Sequence, residues 1–150
     1  MAHSRIIQVN EERLSKNNHL TVEDFYDLSL GNSIEGFDYA TVPDSPREEE
    51  LKWFKEQLER VGFTLDGEEI TVGEDESFIS DWREKAVEVA EDFDLWKMKE
   101  VASGTFFSAF FIYDEYYGYP VSLWKWAKDV IEERREVSKF YVGGIIDYHF

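Results

Sequence analysis

Between Thr105 and Tyr119 the chain reads TFFSAFFIYDEYYGY. Eight of these fifteen residues are aromatic, and Asp114 and Glu115 are the only charges. If extended, Phe106, Phe110 and Ile112 lie on one face and Phe107, Ala109, Phe111 and Tyr113 on the other. Both faces are then apolar up to Tyr113, as in a central strand covered on two sides. Each large ring contributes about 1.5–3 kcal/mol when buried. A chain that left so many exposed would carry a patch prone to association. Phe106 to Tyr113 is therefore expected in a core, and Asp114 to Pro120 in a loop.

The flanking segments predict the rest. Ser4–Val9 and Lys139–Phe150 read as strands. In the latter, Phe140, Val142, Ile146, Tyr148 and Phe150 share one face. Gly143-Gly144 suggests a bulge or the close approach of a large neighbour. Thr21 with Asp24 predicts a capped helix ending near Gly31, and Asn32–Asp44 reads as a loop. Ser45, Pro46 and Glu48 predict a second helix start. Leu51, Phe54, Leu58 and Val61 are its apolar stripe, with Gly62 as its end. Asp66-Gly67 predicts a type I′ hairpin turn. A third helix follows Asp75, with Phe78, Trp82, Ala86, Val89 and Phe93 inward. Leu95–Val101 is assigned to a strand. A fourth helix begins near Pro120, with Leu123, Trp124, Ala127, Val130 and Ile131 inward. Trp53 and Trp126 are placed at the edges of their helices' buried arcs.

The expectation is one α+β domain: about five or six strands in a mainly antiparallel or mixed sheet, covered by about four helices. A right-handed crossover would set the two aromatic-rich C-terminal strands parallel.

The charge is the second constraint. There are 33 acids against 16 bases, a net charge of −17. Asn17–Pro46 holds six acids, and Val61–Trp82 seven, with no Lys or Arg in either. A bare nucleic acid or anionic membrane needs a basic footprint, so neither is an expected partner. With no Cys, disulfides, thiolate metal sites and a Cys nucleophile are excluded. The chain lacks an apolar run of about 18 residues or a secretory signal, so a cytoplasmic location is expected.

Catalytic signals are weak. The adjacent doublets Glu68/Glu69, Asp114/Glu115 and Glu132/Glu133 diverge in either regular structure and make no dyad. His3, His19 and His149 form no zinc pattern, and the acidic loop near Asp66–Asp75 lacks EF-hand order. Asp147 and His149 would share a strand face, but no nucleophile motif accompanies them. GxGxxG and GxxxxGK[ST] are absent. No cofactor or metal is expected.

The leading expectation is an acidic domain that docks on, and inhibits or neutralises, a basic protein by electrostatic steering followed by burial of aromatic anchors. Its surface would comprise Asp66, Glu68, Glu69, Glu74, Asp75, Asp114 and Glu115, with Trp53, Tyr116 and Tyr117 as anchors. DNA mimicry is a sub-case, since duplex DNA as long as such a domain carries about 22 charges. One alternative is a ligand-binding protein or enzyme with a pocket of Tyr-loop rings and Asp114 or Glu115. Another is self-association.

Overall fold

The structure is a computed structural model that describes residues 2–150. In chain order its elements are β1 (His3–Asn10), α1 (Val22–Asp27), β2 (Tyr39–Thr41), α2 (Arg47–Glu59), β3 (Thr64–Asp66) and β4 (Glu69–Thr71). Then come α3 (Ser77–Asp92), α4 (Leu95–Ser103), β5 (Phe111–Tyr113), β6 (Val121–Ser122), α5 (Leu123–Glu133) and β7 (Lys139–His149). The two long apolar strands near the ends of the chain, β1 and β7, pair antiparallel and form the axis of the sheet. Among the described residues the sheet has seven strands, ordered β3-β4-β7-β1-β5-β6, with β2 on the far half of β7. Among the described residues only β1 and β5 run parallel, so the sheet is mixed and the domain is α+β.

Alternation along β1 divides the core. Ile7 and Val9 face α2, α3 and α5, where Phe54, Leu58, Phe63, Leu123, Trp126 and Val130 pack with Ile112 and Phe140. Ile6 faces the other way, toward Leu20, Phe25, Leu30 and Ile34, and shares that side with Tyr113, Ile146 and Tyr148. The residues of β7 expected on one face are split between two. A register shift between Ile7 and Val9 leaves an extra β7 residue at Gly143–Gly144. Phe140 and Val142 therefore join the first core, and Ile146 and Tyr148 the second. The glycines are required by close approach. A Cβ on Gly143 would lie 2.3 Å from Gln8 Oε1, and one on Gly144 2.1 Å from the Leu20 carbonyl oxygen. Buried Gln8 stitches this point by accepting from the Leu20 N–H at 2.6 Å and the Gly144 N–H at 2.8 Å.

Other departures have local causes. Residues 95–103 are helical because Asp94 caps them, accepting from the N–H groups of Trp96 and Lys97 at 3.1 Å. The aromatic run is a strand only from Phe111. Before it the chain turns back, with Phe106 N–H donating to the Glu100 carbonyl at 3.1 Å and Phe107 N–H to the Gly104 carbonyl at 3.2 Å. Phe106 is consequently exposed, although Phe110 and Ile112 are core. Ala86 and Phe93 are also exposed. The Asn32–Asp44 segment contains β2, recruited by the free edge of β7.

In α2, Pro46 takes the cap position with extended backbone and no side-chain cap bond forms. The hairpin pairs Asp66 with Glu69, so Gly67-Glu68 forms its turn. Only Gly67 has positive φ there, the type II′ pattern. Glu76, not Asp75, is the N-cap of α3, while the Asp75 carboxylate accepts from the Ser77 N–H at 2.9 Å. Pro120 precedes β6, and α5 is capped by Ser122. Trp126, expected at a margin, is fully buried. β5 and β7 flank β1 in opposite senses, so the expected parallel pair does not form. Among the described residues no helix is long and apolar enough to cross a membrane.

Candidate functional site

The pairings Gln8↔Tyr113 and Asn10↔Tyr141 bring the end of β1, the end of β5 and the start of β7 to one end of the sheet. The Tyr loop leaves β5 there. Its shape is set by Asp114, only 4% exposed. This carboxylate accepts from Trp126 Nε1 at 3.1 Å, Arg134 Nη1 at 2.6 Å and the Tyr116 N–H at 3.1 Å. Arg134 also binds Glu11 and lies over the rings of Tyr116, at 4.5 Å, and Phe140, at 5.0 Å. Burial alone would favour loss of the Arg134 proton, but the hydrogen bonds to Glu11 and Asp114 raise its pKa overall.

Tyr117 points inward and donates its O–H to Asp129 at 2.7 Å. Burial first, and that bond second, push its pKa far above the ordinary range. Tyr116 and Tyr119 are exposed rings, and the Tyr116 O–H donates to Glu133 at 3.4 Å. Asp114 and Tyr117 are thus scaffold, while Glu115 and Tyr116 form the outer surface.

The other expected contact residues divide between places. Glu74 and Asp75 are exposed in the β4–α3 loop, and Arg135 reaches neighbouring Glu76 at 4.0 Å. Arg134 and Arg135, adjacent at the C-terminal end of α5, thus reach the Tyr loop through Asp114 and the start of α3 through Glu76. Asp66, Glu68 and Glu69 belong to the hairpin edge. Glu68 pairs with Arg47 at 3.1 Å, and Glu69 with Lys139 and, at 3.9 Å, Arg13. The Lys139 hydrogen bond lowers the Glu69 pKa. Trp53 packs edge-on to Phe110 at 4.9 Å and lines a concavity of about 350 Å³ with His3, Arg5 and Glu50. It does not join the Tyr loop.

At that concavity lies a polar cluster of which the sequence announced only Asp147 and His149. Arg5 Nε donates to both Glu50 oxygens, at 3.0 and 2.9 Å, and Nη1 meets Asp147 at 3.1 Å. Asp147 also meets His3 Nδ1 at 3.1 Å. His149 Nε2 stays 3.8 Å from Asp147, too far for a hydrogen bond. Its ring is stacked between Tyr39 and His3 instead. The spacing held a signal for Glu50, which continues the Phe54/Leu58/Val61 stripe one turn earlier. Arg134 likewise continues the Ala127/Val130 stripe one turn later.

A larger cleft of about 850 Å³ opens between α4, the start of α5, β6 and the turn at Leu30–Ser33. Tyr119, Glu35, Glu100 and Asp129 line it, but Tyr116, Tyr117, Asp114 and Glu115 do not. Among the described residues no group of three or more His, Cys, Asp or Glu is placed to hold a metal ion. No family model matches the chain, no curated protein matches it in sequence, and no solved structure matches it in fold.

Proposed function

We propose that the chain is a protein-binding domain that docks on a basic partner through the end of the sheet bearing the Tyr loop, and so inhibits or neutralises it. The observation that supports this reading lies at the end of α5. Arg134 fixes the loop that carries Glu115 and exposed Tyr116, through Asp114, and the adjacent Arg135 reaches Glu76 at 4.0 Å, next in the chain to exposed Glu74 and Asp75. Tyr is stiff and amphipathic and gives contact area at low entropic cost. The surrounding carboxylates steer a cationic surface toward it. The hairpin acids Asp66, Glu68 and Glu69 extend the negative field along the adjacent edge, although Glu68 and Glu69 already hold basic partners.

The test is affinity capture from the native cell with the wild-type chain and with Glu74→Lys/Glu115→Lys. The expected result is one basic protein, released by raised salt and not retained by the variant. A partner held equally by both chains, or an uncharged partner, overturns the proposal.

A further inference from the structure

We infer that the cleft between α4 and α5 is a binding site for a small amphipathic organic anion, with a flat apolar body and one carboxylate- or sulfonate-like group. Its volume, about 850 Å³, lies within the roughly 300–1,000 Å³ of small-molecule sites. Ile34, Phe111, Val121 and Tyr148 supply an apolar lining. Around it stand large rings that folding leaves partly in water: Trp96 is 58% exposed, Tyr119 48% and Phe150 45%. Rings placed this way around a hollow suit a flat apolar body, which shields them on entry.

Charge decides which flat molecule. The whole chain has 33 acids for 16 bases, whereas the cleft is lined by three of each: Lys99, Lys125 and Lys128 with Glu35, Glu100 and Asp129. This hollow is therefore less hostile to an anion than the rest of the chain. Asp129 is held by Tyr117 O–H at 2.7 Å and Lys125 at 3.1 Å, and Glu35 by Lys99 at 3.0 Å. Lys128 pairs with Glu132, one turn further along α5 and outside the lining. The Lys99–Glu35 and Lys128–Glu132 pairs are open to water and hold weakly, so those two flexible ammonium groups are able to turn to a ligand, while Lys125 stays on partly buried Asp129. Ser122, the N-cap of α5, is also in the lining, which places the positive end of that helix dipole at the cleft. At physiological salt, screening acts over about 8 Å, so these local groups outweigh the distant net charge.

The test uses the full chain and two dyes of similar shape: anionic 8-anilinonaphthalene-1-sulfonate and uncharged N-phenyl-1-naphthylamine. Both are expected to bind saturably by fluorescence, the anion more tightly. Trp96→Ala weakens both by about tenfold. Lys125→Ala/Lys128→Ala weakens the anion by about tenfold and leaves the neutral dye within about twofold. Phe93→Ala, on an exposed corner outside the lining, changes neither. If circular dichroism shows the double variant unfolded, Lys128→Ala alone repeats the charge test, with about threefold expected. Absence of saturable binding overturns the inference. So does equal loss of both dyes on lysine removal, or loss with Phe93→Ala but not Trp96→Ala.

Discussion

Arg5 and Arg134 stand at opposite ends of the β1–β7 pair, each between two carboxylates. Arg5 joins Glu50 of α2 to Asp147 of β7, and both of these acids are buried. Arg134 joins buried Asp114 to Glu11, whose side chain is half in water. The first assembly fastens a helix start to the sheet. The second fixes a surface loop and leaves Tyr116 lying on the guanidinium. The same three-group device thus serves rigidity at one end and presentation at the other. Solvent access of the second carboxylate makes the difference.

Removing each arginine tests that contrast. Arg5→Ala leaves buried Glu50 without its cation and buried Asp147 with His3 in place of the guanidinium, and is expected to cost about 3–5 kcal/mol in denaturant unfolding. Arg134→Ala removes the cation from Asp114 alone and leaves its Trp126 and Tyr116 donors, so about 2–3 kcal/mol is expected. It should also speed amide exchange in residues 115–119 while the paired centre of β1 and β7 stays protected. Equal costs, or no change in loop exchange, would show that the two clusters do not differ in the way described.

The sequence carried the parts of this fold that depend on one residue's own neighbours. Thr21 and Asp24 form the expected capping box, Phe54, Leu58 and Val61 are buried, and Leu123, Ala127 and Val130 face the core. It failed where a distant partner decides. β2 exists because β7 offers an edge, which nothing in residues 39–41 announces. Glycines at 143–144 were readable as a bulge, but not its effect of exchanging the two faces of β7. One local signal was also missed: Leu95–Val101 is apolar enough for a strand, but the neighbouring Asp94 caps it as a helix. In the candidate site, exposure of Glu74, Asp75, Glu115 and Tyr116 followed from local polarity. The burial of Asp114 did not, because it depends on Trp126 and Arg134, 12 and 20 residues away.

Alkaline pH sharpens the comparison through one tyrosine at each end. Tyr148, beside Ser4 and near Arg5, is pushed up to about 12 by burial. Tyr117, at the Arg134 end, is raised further by burial and by Asp129. Above pH 10 the unfolded chain loses these phenolic protons while the folded chain keeps them. The fold then binds more protons, so stability is full below pH 10 and falls as pH rises. For Tyr148 the loss reaches about 2–3 kcal/mol by pH 12. Tyr148→Phe and Tyr117→Phe should each flatten the decline in unfolding free energy across this window. A decline unchanged by both variants would place the alkaline sensitivity elsewhere.

The smallest stability effect is expected on the presented surface itself. Glu74 and Glu115 are exposed. Surface changes away from caps and clusters usually fall within about 0.5 kcal/mol. Glu74→Lys/Glu115→Lys should therefore leave the unfolding midpoint almost unmoved, while changing the surface charge by four units. Since steering acts on association, the variant's defect should appear as a slower, less salt-dependent on-rate for the captured partner. A variant that melts early would instead tie these carboxylates to folding, and the two arginine clusters would then share one structural role.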